Sequence, residues 1–139
     1  MAIQQGLTIS FKQQMLQGQQ DLSSDTLKMA LYTAFSDIGP NTTVYTATNE
    51  ITGTGYVAGG ETMSGVTIGV STNGTVYVNF DNVVWNPAAF TARGALIYNV
   101  TQGNASVAVL DFGADKTCSN TFTVTMPANT STTALLRFS

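Results

Sequence analysis

The chain has no histidine and a single cysteine, and only 13 of its 139 residues are charged. Each scarcity excludes a class of chemistry. Without histidine there is no His-based triad and no imidazole to act as general base near neutral pH. One thiol, Cys118, cannot close an intrachain disulfide. Lacking a histidine partner, it makes neither a zinc site of the usual Cys/His kind nor an activated nucleophile. Five basic residues against eight acidic ones leave a net charge of −3, which disfavours a phosphate-tracking surface. Apolar runs such as Val107–Leu110 fall far short of the roughly 18 residues a membrane-spanning helix needs. Met1–Ser10 lacks the basic and apolar regions of a secretion signal, so synthesis in a cytoplasm is expected.

The space left by charge is filled by 22 Thr, 10 Asn and 13 Gly. Threonine is β-branched and favours strands, whereas Asn and Gly favour turns. A chain of this length supports one domain with one real core. A surface so poor in charge resists association weakly, and Thr and Asn lose little side-chain entropy when docked. The composition therefore suits a packed β domain that docks onto something.

Residues 1–22 differ from the rest, because seven of the eight Gln lie in the first twenty positions. Phe11, Met15 and Leu16 fall at i, i+4 and i+5, with Ser10 as N-cap and Gly18 just past the end of a short helix. Such a helix is too short to stand alone. The spacing predicts an N-terminal arm or short helix over 1–22, lying on its own body or on a neighbour, ahead of a β-sandwich domain over 23–139. As an arm, residues 1–20 would be removable, leaving a folded β domain that no longer docks.

From Leu27 the apolar period becomes two. Strands are expected over 27–35, 45–51, 66–70, 76–80, 83–85, 95–100, 106–112, 122–126 and 135–138, with Pro127 stopping the next to last. Around Thr72-Asn73-Gly74, a three-residue loop with Gly74 left-handed pairs Val70 with Val76 and Ile68 with Val78. This spacing reads as an all-β fold, an antiparallel two-sheet β-sandwich of jelly-roll or immunoglobulin-like outline. Its expected core is Leu31, Phe35, Val66, Ile68, Val70, Val78, Phe80, Trp85, Leu96, Tyr98, Val109, Leu110, Phe122, Val124 and Leu136.

No motif carries catalysis. The glycines of Gly53-Thr-Gly55-Tyr56-Val-Ala-Gly59-Gly60 lack the Lys-Ser/Thr of a phosphate loop and read as a bulged connection. Asp111-Phe112-Gly113 has no nucleotide-binding partner loop and reads as a strand end turning at Gly113. Asp81, Asp111 and Asp115 form no Asp-rich calcium loop. A glycosidase needs two carboxylates flanking a cleft, and Glu50, Glu61 and Asp81 cannot be paired from sequence. Arg93 reads as half of a structural salt bridge. The chain is expected not to be an enzyme, with no catalytic, cofactor-binding or metal-binding residue and no cofactor.

Several blocks, taken in order, carry a resemblance. They are Phe11-Lys-Gln-Gln-Met-Leu-Gln-Gly18, Ser24-Asp-Thr-Leu-Lys-Met-Ala-Leu-Tyr-Thr33, the glycine-rich Ile51–Gly60, Thr91-Ala-Arg-Gly-Ala-Leu-Ile-Tyr98, Ala108-Val-Leu-Asp-Phe-Gly113 and Phe122-Thr-Val-Thr-Met-Pro127. Together they resemble a family of small virion structural proteins of tailed bacteriophages, over nearly the whole chain. The resemblance implies a capsid cement or decoration protein that binds and clamps neighbouring major capsid subunits. The implied partner is the major capsid protein, with a dimer or trimer of the chain on the particle and neither nucleic acid nor membrane bound. The implied location is the capsid surface of the virion, after synthesis in the host cytoplasm. Expected contact residues are Phe11, Met15 and Leu16 in the N-terminal segment and Gly53, Gly55, Tyr56, Gly59 and Gly60 in the glycine loop. A tail or fibre component is the alternative, touching the host surface through exposed Tyr45, Tyr56 and Trp85. A small hydrolase of cell-wall sugars is a third class and requires paired carboxylates in a cleft.

Overall fold

A computed structural model of the chain describes residues 2–126 and 136–138. Among these, one helix and ten strands follow in order: β1 (Gly6–Leu7), α1 (Ile9–Leu16), β2 (Leu27–Tyr32), β3 (Glu61–Thr62), β4 (Thr67–Val70), β5 (Val76–Asn79), β6 (Val83–Trp85), β7 (Phe90–Asn99), β8 (Ala105–Cys118), β9 (Phe122–Val124) and β10 (Leu136–Phe138). All strand pairs are antiparallel. They form a five-stranded sheet in the order β1-β8-β7-β2-β3, a three-stranded sheet β10-β5-β4 and a two-stranded sheet β6-β9. The expected all-β, antiparallel, sandwich-like fold is what the chain adopts. The strand stop expected at Pro127, and Leu135, lie outside the described residues.

The main core forms where the three sheets meet. Leu27, Met29 and Leu31 of β2, Ile97 of β7 and Val107 of β8 pack with Val78 and Leu136 of the three-stranded sheet and with Val83, Trp85, Phe122 and Val124 of the two-stranded one. Trp85 sits edge-on to Phe90 and Phe122, with ring centroids 6.4 and 6.0 Å apart. Such pairs add about 0.5–1.5 kcal/mol beyond the area they bury.

The central strands are covered on their other face as well. Ala30, Tyr32, Leu96, Tyr98 and Val109 pack with Ile3 and Ile38 in a second, smaller core. Strands buried on both faces read as continuous apolar runs, which accounts for Ala95-Leu-Ile-Tyr98. The cover is made by the N-terminal residues and the long connection after β2. Gln4 N–H donates to the Ile38 carbonyl at 3.0 Å, and Tyr45 N–H to the Asn104 carbonyl at 3.0 Å. This connection forms no strand over 45–51, only isolated bridges at Val44, Glu50 and Thr54.

Residues 2–22 are built into this body rather than extended as an arm. β1 pairs with β8, Gly6 opposite Val109. The helix starts earlier than expected: Thr8, not Ser10, is the N-cap, its Oγ1 accepting from Phe11 N–H at 3.3 Å. Gly18, at φ +70°, ends the helix as expected. Phe11 is fully buried and Met15 packs on the same core. Leu16 is 92% exposed, because five helical residues turn it about 140° from Phe11.

The β4–β5 hairpin has the expected pairing, Val70 with Val76 and Ile68 with Val78, and Gly74 at φ +90°. Its expected burial fails at the outer strand. Val78 is buried, but Ile68 and Val70 overhang the body and stay exposed. Phe35 also leaves the expected core: β2 ends at Tyr32, and Phe35 stands 81% exposed in the turn that follows. Leu110 and Val66 are only partly buried. β8 does not end at Gly113 but runs to Cys118, with residues 112–115 bulging out opposite Arg93 between the Ala92–Lys116 and Gly94–Asp111 pairs.

Candidate functional site

Of the eight residues expected to make contacts, Phe11 is buried in the main core, and Met15 and Tyr56, partly buried, pack against that core. The glycine loop is held against the body by close backbone approaches. At Gly55 (φ +84°) an added Cβ would run into the Pro87 carbonyl, and at Gly60 (φ +81°) into the carbonyl of Met29. At Gly53 it would meet Ala89 and Phe90, and at Gly59 the Tyr98 hydroxyl at 3.2 Å. These glycines are there because chain crosses chain too closely for a side chain. What the segments keep outside are large apolar side chains, Ile9 and Leu16 from α1 and Val57, 74% exposed, from the loop.

The organiser of the loop is a residue the contact expectation left out. Glu50 is the lone charge between Asp37 and Glu61. Its Oε1 accepts from the Tyr45 hydroxyl at 2.6 Å. Its Oε2 accepts from the Tyr56 hydroxyl and from Gly59 N–H, the latter at 2.7 Å. The Tyr56 oxygen accepts Leu31 N–H at 2.9 Å, and Tyr98 donates to the Gly59 carbonyl at 2.6 Å. Tyr45 stacks on Tyr98 with centroids 4.8 Å apart. One carboxylate and three phenols thus stitch the loop to β2 and β7. A lone carboxylate flanked by Tyr45 and Tyr56 was the available sequence signal. Replacing it, Glu50→Gln, puts an NH₂ group where two donors now point. The expected loss is about 2–3 kcal/mol, read by urea denaturation.

Burial, and after it the Glu50 carboxylate, raises the pKa of all four phenols in this region. Tyr98 rises to about 12, and Tyr32, Tyr45 and Tyr56 rise further. The folded chain therefore holds these protons longer than the unfolded chain, whose tyrosines titrate near the ordinary value of 10.0. The linked stability is complete below about pH 10 and falls as pH climbs through about 12 and beyond. Denaturant midpoints flat to about pH 10 and then dropping are expected, with phenolate absorbance appearing as the protein unfolds.

Three glutamines of the N-terminal segment, Gln5, Gln14 and Gln20, bond within the protein. Gln20, buried, donates to the Gln14 side chain at 2.7 Å and accepts from Asn99 at 3.2 Å. Asn99 donates to Asp25 at 2.8 Å, and the Gln5 side chain accepts Asp111 N–H at 3.0 Å. A hydrogen bond from Asp21 N–H helps hold the Asp25 carboxyl below its ordinary pKa. Beside these, Ser106 Oγ donates to Thr8 Oγ1 at 2.9 Å under the helix start.

The Glu50 carboxylate accepts three hydrogen bonds, and no group of three or more His, Cys, Asp or Glu able to hold a metal occurs among the described residues. Arg93 and Asp115 form the expected ion pair, at 3.5 Å and well exposed, a geometry worth under about 1 kcal/mol. A groove of about 670 Å³ lies where β1 and β8 approach β9 and β10. Its lining is mainly Leu7, Leu110, Phe112, Phe122, Val124 and Met126, with no nucleophile–base pair. No helix among the described residues is long and apolar enough to cross a membrane. No protein-family model matches the chain, and no match to a curated protein or a solved structure was found.

Proposed function

We propose that the chain is a structural protein of a tailed-bacteriophage virion, a cement or decoration protein that docks on the capsid and clamps neighbouring major capsid subunits. The observation that carries this reading is the pair Leu16 and Val57. Each is a large apolar side chain held out from an otherwise anchored segment, 92% and 74% exposed. They stand on a surface of 7061 Å² that carries 13 charges, about one per 540 Å². Apolar anchors on rigid supports lose little entropy on docking, and the sparse charge keeps the cost of desolvation low. The sequence resemblance to small phage virion proteins supports the same reading. Repetition over a shell supplies avidity that a single contact of modest area lacks.

The tail or fibre reading needs exposed aromatic rings. Trp85 is buried, and Tyr45 and Tyr56 give their hydroxyls to Glu50, so those three rings do not form an open stacking platform. A cryo-electron reconstruction of the particle carrying this chain tests the proposal. Hundreds of copies seated between major capsid subunits, with occupancy lost in a Leu16→Asp, Val57→Asp double variant of unchanged melting temperature, are the expected result. A few copies in a ring below the portal would overturn it.

A further inference from the structure

Among the described residues, no strand pairs with the outer edge of β4. Ser71 N–H bonds the Thr75 carbonyl at 2.9 Å, so in this ladder Thr67, Gly69 and Ser71 face β5 with their backbone groups. The N–H and C=O of Ile68 and Val70 therefore point the other way, and no described residue bonds them. Their side chains share the face that carries Val76 and Val78, yet they are 49% and 70% exposed. A strand edge with two free donors, two free acceptors and an uncovered apolar stripe is a template for another strand.

We propose that the occupant of this edge is the β4 strand of a second copy of the chain, paired antiparallel about a two-fold axis beside Gly69. The pattern is self-complementary. With Gly69 opposite its own mate, Ile68 faces Val70 of the other copy, and both residues present their backbone groups outward. Four hydrogen bonds form, and the three-stranded sheets join into one of six. Gly69 falls in the non-hydrogen-bonded position, where backbones approach most closely, about 4.5 Å between Cα atoms. It brings no side chain to the axis, and the ring of its own Tyr77 already lies over it. The apolar stripe then continues across the axis as Ile68, Val70 and their mates. The self-complementary register singles out the copy as partner, and charge does not oppose it: the 19 residues from Thr62 to Phe80 carry none, so two identical strands meet without repulsion. The usual guards of an edge, an inward charge or a lysine, are missing here, whereas the two-residue edge strand β3 carries Glu61.

This inference does not rest on the capsid reading, and its test uses the purified chain alone. Sedimentation equilibrium up to about 1 mM is expected to show a reversible dimer, since an edge contact below the ordinary interface size associates weakly. Val70→Lys and Ile68→Glu should each weaken it about tenfold or more, with circular dichroism melting unchanged, because both side chains already lie in solvent. Mixing the two variants should restore dimers, as the lysine introduced in one copy then faces the glutamate introduced in the other. Amide hydrogen exchange on the unaltered chain gives a second readout. Ile68 and Val70 should gain protection as concentration rises while Gly103 does not. A chain that stays monomeric throughout, variants that dimerise like the parent, or exchange at Ile68 and Val70 independent of concentration would each overturn the pairing.

Discussion

Gly60→Ala is expected to cost at least about 4 kcal/mol, enough to leave a chain of ordinary stability largely unfolded or insoluble. Two effects add. Position 60 has φ +81°, and the left-handed region costs a residue with a Cβ about 1–2 kcal/mol. The new Cβ would also overlap the Met29 carbonyl and crowd Ala30, which are backbone of a strand paired on both sides. A flexible side chain would swing away from such a contact, but a strand locked between β3 and β7 does not. Gly103 supplies the comparison, because it is left-handed too, at φ +67°, with nothing near a Cβ. Gly103→Ala should lose only the conformational term, about 1–2 kcal/mol. Urea denaturation of the two variants separates the effects. Equal midpoints would show that Gly60 is present for its turn alone, and the loop would not be pinned as described.

Removing residues 1–20 is expected to abolish cooperative melting. The truncation strips β1 from β8, takes Ile3 from the second core and empties the site of Phe11 in the main one. Phe11→Ala alone should cost about 3–5 kcal/mol, the range for a fully buried phenylalanine. The Gln20 and Thr8 side chains would go as well, leaving Asn99 and Ser106 with fewer partners in a buried setting. This reverses the expectation drawn from composition, in which the glutamine-rich segment was a detachable docking arm. A truncated chain that still melts cooperatively near the parent temperature would restore the arm reading. Calorimetry of both chains decides it.

Much of the fold was legible in the sequence because its causes are local. Alternation along Leu27–Leu31 marks a strand wherever that strand sits, and Gly74 favours its turn whatever surrounds it. Register at the β4–β5 hairpin followed from a face-matching rule that needs only the two strands and their loop. Gly18 ended α1 for the same kind of reason. The candidate site was much less legible. Glycines at 53, 55, 59 and 60 are compatible with an exposed loop or a pinned one, and only the positions of Pro87 and Met29 decide between them. Phe11 and Leu16 looked alike as apolar residues of one stripe. The helix rotation set by Thr8 and the nearby strand β8 separated them, burying one and presenting the other.

By itself, then, the amino-acid sequence determined the class of fold and the hairpin pairing, since each depends on residue type and short-range spacing. Tertiary structure alone decided that β2 and β7 are buried on both faces, that Gln14 and Gln20 bond inward and that Glu50 gathers two tyrosines and Gly59 N–H. It also decided that Ile68 and Val70 overhang the core. Those outcomes depend on where residues distant in the chain come to rest. Ile3 and Ile38 cover a sheet face only because β1 reaches β8 and the 33–50 connection folds back, and no local period encodes that meeting.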